Sequence, residues 1–146
     1  MPWIKVWLHF VWCTKERFPY LQDAVRTRVF EHIRENAREK RIHIDFLNGW
    51  LEHVHCLISL GSDQTLEKLM QLIKGESSFW INKNHLTQKR FGWQDEYFVA
   101  SVSESNVPAV RRYIARQEVH HSKVPFALEF DEMLLRAGFQ RYRDLR

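Results

Sequence analysis

Between residues 3 and 12 apolar side chains alternate: Ile4, Val6, Leu8, Phe10 and Trp12 fall on one side, and Lys5, Trp7, His9 and Val11 on the other. A period of two is that of a half-buried strand. After a turn around Pro19, the stretch 22–40 places Val25, Val29, Ile33 and Ala37 four apart among charged residues, the spacing of an amphipathic helix. Two β-rich runs follow, 42–47 and 50–60, separated by Asn48-Gly49. That dipeptide tolerates the left-handed backbone of tight hairpin turns, so the runs are expected to form an antiparallel pair. Gly61-Ser62-Asp63 offers helix-capping chemistry ahead of a stripe of Leu66, Leu69, Met70 and Ile73 that continues past Gly75 through Phe79 and Ile81. A polar loop over 82–92 leads to a fourth strand at 97–102, and Asn106 and Pro108 open a third helix. Phe126, Phe130, Met133, Leu134 and Ala137, closed by Gly138, predict one more short helix before a basic ending over 140–146. No internal repeat is visible.

The order β-α-β-β-α-β predicts an α+β, ferredoxin-like fold: a four-stranded antiparallel sheet with helices on one face and the other face open, plus an added third helix and a short C-terminal helix. Residues 1–121 are expected to form the main domain, with 122–146 a helical extension of it. A chain of 146 residues with 45% hydrophobic content, six Trp and ten Phe supports one well-filled core and argues against disorder. No apolar run approaches a membrane span and no signal peptide is recognisable, so a cytoplasmic location is expected. Cys13 and Cys56 stand alone without a CxxC pair, which reads as two buried thiols and not as a disulfide or zinc framework. The 22 Lys and Arg against 18 Asp and Glu give a net charge of +4, and the pI is near 9.2. That balance mildly favours a polyanionic partner.

Candidate chemistry begins in Leu51-Glu52-His53-Val54-His55-Cys56-Leu57-Ile58. A strand period puts His53 and His55 on one face, about 7 Å apart along the strand, with Val54, Cys56 and Ile58 turned toward the helices. Two imidazoles there can converge on one metal ion, although an isolated HxH also occurs as ordinary strand sequence. In the third helix, Tyr113 and Gln117 are four apart and share a face, with Val110 and Ile114 turned to the core. A phenol can attack a phosphodiester when a Lewis acid stabilises the developing charge, and an amide oxygen could complete that ion's ligands. Singly, each residue also reads as ordinary helix surface.

Together these residues resemble the HUH-type single-tyrosine transposases of single-strand insertion sequences and the related transposases associated with repetitive extragenic palindromes. His53-Val54-His55 resembles the family's His-hydrophobic-His motif, and Tyr113 with Gln117 its helix-borne nucleophile and third metal ligand. Cys13-Thr14-Lys15, Lys74-Gly75-Glu76-Ser77-Ser78 and the segment from Phe91 to Tyr97 extend the resemblance over roughly 3–121. It implies a transposase that cleaves and rejoins single-stranded DNA, hairpin or palindromic, through a 5′-phosphotyrosine at Tyr113. It further implies a metal, Mg or Mn, on His53, His55 and Gln117, and a homodimer with joined sheets and shared active sites. On donor chemistry alone, two imidazoles suit Zn, Mn, Co or Ni as well as Mg. The absence of a Gly-rich phosphate loop fits, since a covalent intermediate keeps the bond energy for rejoining.

For DNA contact, Lys5 and Trp7 join charge and a stacking ring on the non-core face of the first strand, and Arg112 and Arg116 flank Tyr113. Lys68, Lys74, Lys83, Lys89 and Arg90 add positive charge. His120 and His121 follow Gln117 by one turn: they are read first as capping the helix end, with reach to the site or the phosphate as the alternative. Two other functions use the same features: a non-catalytic single-stranded nucleic-acid-binding module, and a metal-dependent phosphodiesterase with a water nucleophile.

Overall fold

The computed structural model describes residues 2–121 and 124–139. The basic ending over 140–146 lies outside them. Four strands, β1 (Trp7–Thr14), β2 (His43–Gly49), β3 (His53–Ser59) and β4 (Trp93–Val102), form one sheet in the order β2-β3-β1-β4. Every pairing is antiparallel. On one face lie α1 (Asp23–Glu39) and a second helical rod made of α2 (Leu66–Met70), a π-helical turn (Gln71–Gly75) and α3 (Glu76–Lys83). The expected βαββαβ architecture is thus observed.

The alternation read in the first strand holds. Leu8, Phe10 and Trp12 meet Val54, Cys56 and Ile58 of β3 and Val29, Phe30, Ile33 and Ala37 of α1 in the main core. The strand itself starts later than expected, at Trp7, because Trp7 already faces the last paired residues of both neighbours, Ser59 and Val102. Trp3 is fully exposed. β4 starts earlier than expected, at Trp93, whose indole donates to Ser77 Oγ at 2.9 Å in the core. Cys56 is buried as expected, whereas Cys13 is only half-buried.

Three local expectations shift. Asn48 and Gly49 are not the hairpin turn but the end of β2, paired with His55 and Val54, and the chain reverses over 50–52. Gly49 is required there by space: a Cβ would lie 2.2 Å from the carbonyl oxygen of His53. The second helical rod is capped not by Gly61-Ser62-Asp63 but by Thr65, whose side chain accepts from the Lys68 amide. The third helix divides at Arg116 into α4 (Val107–Ala115) and α5 (Gln117–His121).

The largest departure is the second face of the sheet, which is not open. It is covered by α4, α5 and α6 (Phe126–Arg136). Leu57 packs with Val107 and Ile114 of α4, and Val11 and Phe98 pack with Phe126 and Leu134 of α6. Buried Arg26 of α1 donates to the Leu21 carbonyl and reaches Glu118 of α5 at 3.1 Å, fixing that layer to the first helix. Just past the end of α6, Gly138 has a φ of +87° that suits glycine, and Phe139 N returns to the Leu134 carbonyl at 3.0 Å.

Candidate active site

β3 is the central support. Flanked by β1 and β2, it is paired on both edges, and its period of two sends His53 and His55 to the same covered face. Both imidazoles are completely buried. Their rings are 5.1 Å apart, nearly perpendicular. His53 Nδ1 is 2.8 Å from Glu52 Oε1, which leaves Nε2 facing Gln117 Oε1 at 3.1 Å. His55 Nδ1 is 2.9 Å from Nε2 of His9 on β1, which leaves its Nε2 facing Glu129 Oε1 of α6 at 2.9 Å. Each histidine therefore has one ring nitrogen anchored and the other turned to a common point, the arrangement that orients imidazole for an ion.

Tyr113 and Gln117 stand across the helix break and still reach this point. The Arg116 backbone ends α4 while the Gln117 amide donates to the Tyr113 carbonyl at 3.4 Å. Asn48 of β2 donates to the carbonyls of Ile114 and Ala115 at 2.9 and 3.3 Å, satisfying the end of α4 and pinning it to the sheet. The Tyr113 ring stands edge-on to His55 at 5.4 Å and to His9 at 6.3 Å. Thus His53, His55, Tyr113 and Gln117, predicted from two distant segments, are brought together within one chain.

Three further residues join them. His121 Nε2 lies 2.9 Å from Gln117 Oε1, and its Nδ1 lies 2.9 Å from the Val124 carbonyl oxygen. His121 is therefore part of the cluster and not simply a helix cap. His120 Nε2 is 2.6 Å and His121 Nε2 3.1 Å from Glu129 Oε2. Ligand atoms of His53, His55, His121 and Glu129 all lie within 4.8 Å of one another, close enough to surround one cation.

Burial governs the protonation states. It lowers His55 to about 3, against the opposing pull of Glu129, and lowers His9 to about 4. Both are neutral imidazoles near pH 7, as metal ligation and its support require. Burial works against a charged Glu129, but hydrogen bonds from His121, His55 and Tyr113 outweigh it and hold the carboxyl well below its usual range. Burial, and then the adjacent Glu129 carboxylate, push the Tyr113 phenol well above its ordinary value.

The site opens outward. A cleft of about 560 Å³ has His9, Tyr113, His120 and Glu129 among its lining, and a second of about 390 Å³ lies between Tyr113, Arg112, Arg116 and His120. Arg112 and Arg116 thus stand beside the phenol with exposed side chains. Lys5 and Trp7 do not. Both bond Glu104, at 3.0 and 2.6 Å, ahead of α4. The three other segments of the resemblance meet away from the histidines: Lys15 N donates to Gly92 O at 2.8 Å, and Lys74 Nζ donates to Gln94 O at 2.6 Å.

The comparisons with known proteins agree with this architecture. The family model described as IS200-like transposase matches residues 3–117, and the chain belongs to that family, within the HUH-type tyrosine transposases. It is a DNA-acting transposase. The ISDra2 transposase TnpA of Deinococcus radiodurans is 25% identical over 114 residues, covering 75% of this chain and 81% of the relative. A crystal structure of a candidate transposase from the same organism superposes with a TM-score of 0.65 at 25% identity, over 80% of this chain and 93% of that one. A REP-associated tyrosine transposase bound to a REP hairpin shares the fold with a TM-score of 0.64 at 19% identity, over 85% of this chain and 73% of that one. The family match stops at Gln117, so His120, His121 and Glu129 lie beyond it. Among the described residues, no helix is long and apolar enough to cross a membrane.

Proposed function

We propose that the chain cleaves and rejoins single-stranded DNA with Tyr113 as nucleophile and a divalent metal held by His53, His55 and Gln117. The observation that carries this reading is convergence: two anchored, buried imidazoles and an amide oxygen meet next to the phenol, and the phenol lines an open cleft. The donor atoms fit an ion, since imidazole nitrogens of His53 and His55 lie within ligand distance of each other and of the Glu129 carboxylate, and Gln117 Oε1 is 3.1 Å from His53 Nε2. Bound there, a divalent cation supplies Lewis acidity toward a phosphoryl oxygen. A nitrogen-rich donor set with one carboxylate nearby favours Mn over Mg.

The chain's own groups do the rest. The phenol, its pKa raised by burial and by the Glu129 carboxylate, is protonated at neutral pH. In the proposed reaction its Oη–P bond forms as the P–O3′ bond breaks. The electron pair passes to the 3′ oxygen, which leaves as a hydroxyl, the proton lost by the phenol balancing the one it gains. The reverse attack by a 3′-hydroxyl frees the tyrosine and restores a continuous strand, so no nucleotide cofactor is consumed. Arg112 and Arg116 are assigned to the phosphates flanking the scissile one. Lys5 and Trp7 would contact DNA only after release from Glu104. By analogy with the relative bound to a REP hairpin, the substrate proposed here is a hairpin or palindromic strand.

All four proposed groups come from one chain. We therefore infer a site closed within the protomer, in place of the shared sites that the resemblance implies, whether or not two chains associate. The test is incubation of labelled hairpin oligonucleotides with Mn²⁺ or Mg²⁺, followed by denaturing electrophoresis. Wild type should give a protein–DNA adduct, and Tyr113→Phe should bind DNA without forming one. Cutting without an adduct, equal in both proteins, would establish a water nucleophile. Binding without cutting in either would establish a non-catalytic module.

A further inference from the structure

We propose that Glu129 is itself a protein ligand of the divalent ion, which makes the C-terminal helix α6 part of the active centre. This rests on the reading that the histidine cluster binds a metal. Glu129 is one of three buried residues of α6, with Phe126 and Leu134, and it is the only charged one among them. A carboxylate in such a place needs a strong reason, because a buried charge without compensation is costly. Its oxygens point into the cluster. Oε1 lies 2.9 Å from His55 Nε2 and 3.7 Å from His53 Nε2, and Oε2 lies 3.1 Å from His121 Nε2.

Ligands bonded to one ion at roughly 2.0–2.2 Å stand about 2.8–3.6 Å from each other, and these separations match or come within about 0.1 Å of that range. A second observation points the same way. Among the described residues, Glu129 Oε2 and His120 Nε2 are buried, and although 2.6 Å apart they lack the geometry of a hydrogen bond. Two buried polar atoms held this close without a good hydrogen bond between them are what a cation would complete. Glu129 lies twelve residues past the end of the family match at Gln117, so the family's pattern does not supply it.

The experiment measures Mn²⁺ affinity of the full chain without DNA, by electron paramagnetic resonance titration, for wild type, Glu129→Gln, Glu129→Ala and His53→Ala. Hydrogen exchange across residues 126–136 is followed with and without Mn²⁺. Glu129→Ala should weaken Mn²⁺ at least tenfold. Glu129→Gln, which keeps the shape and an oxygen donor but loses the charge, should fall between and carries the test if the alanine variant does not fold. Mn²⁺ should slow exchange across α6 in wild type and leave it unchanged in Glu129→Ala. Wild-type affinity in both Glu129 variants would overturn the assignment, and tighter binding would overturn it by showing the carboxylate to compete with the ion. If His53→Ala loses Mn²⁺ while both Glu129 variants keep it, only this inference falls. If wild type binds no Mn²⁺, the metal reading beneath it falls as well.

Discussion

His55 is held more firmly than ligation alone would need, by His9 on one ring nitrogen and Glu129 on the other, in a fully buried position. On an open sheet face its removal would leave the fold nearly intact. In this structure His55→Ala strands two buried polar partners, and leaving such a group unsatisfied costs about 1–3 kcal/mol. The variant should therefore lose metal-dependent cleavage and also melt earlier than wild type; an unchanged melting temperature would contradict the packing described around His55. The candidate residues read from sequence were those with local periodicity: two for His53 and His55, four for Tyr113 and Gln117. Glu129 stands in no such relation to any of them and looks like one more acid on a charged helix. For His121 the sequence leaves two readings, helix cap or reach to the site, and the structure favours the second; a histidine at a helix end is ordinarily satisfied by the helix itself, which is why the first stands ahead in sequence.

Among the elements, β3 shows how much a strand pattern can tell. Val54, Cys56 and Ile58 lie in the main core as their alternation required. Val54→Asp should therefore destabilise the protein by several kcal/mol, about the cost of burying an unpaired charge, and a wild-type denaturation curve would overturn the assignment of faces. The covering of the other face was signalled less directly, by Val11 and Leu57, which stand apolar among the histidines. A strand hydrophobic on both sides is one buried on both sides. What sequence did not show is that α4 and α6 supply the cover, since an amphipathic stripe does not declare which surface it meets. The Asn48-Gly49 signal misplaced the turn for a different reason: Gly49 serves close approach to the His53 carbonyl, not left-handed backbone. Gly49→Ala should destabilise the β2–β3 pair and weaken metal binding by displacing His53. Wild-type stability and Mn²⁺ affinity together would show that the hairpin absorbs the Cβ.

At the scale of the whole molecule, the buried imidazoles couple folding to pH. His9 and His55 are lowered to about 4 and about 3 from an ordinary 6.5. The unfolded chain takes up protons below about 6.5 while the folded one does not until near 4 and 3, so their contribution is intact above 6.5 and is lost as pH falls through that window. Glu129, also held low, acts in the same direction below the ordinary carboxylate range. The metal-free protein should melt at a lower temperature at pH 5 than at pH 7.5, and a flat profile would count against neutral buried histidines. Closure of the site within one chain is tested by mixing Tyr113→Phe with His53→Ala. The mixture should stay inactive, whereas restored cleavage would show that tyrosine and histidines come from different subunits.

The central claim is that the DNA becomes bonded to Tyr113, and the most direct measurement is the mass of the attachment site. The adduct formed with a hairpin oligonucleotide and Mn²⁺ is digested with nuclease and trypsin and analysed by tandem mass spectrometry. Cleavage after Arg112 and Arg116 isolates Tyr113, Ile114, Ala115 and Arg116 as one peptide. The account predicts a 5′-nucleotide mass on that peptide, localised to Tyr113 and absent from Tyr113→Phe. A nucleotide mass on any other peptide, or cleaved DNA with no protein-bound nucleotide, would contradict it.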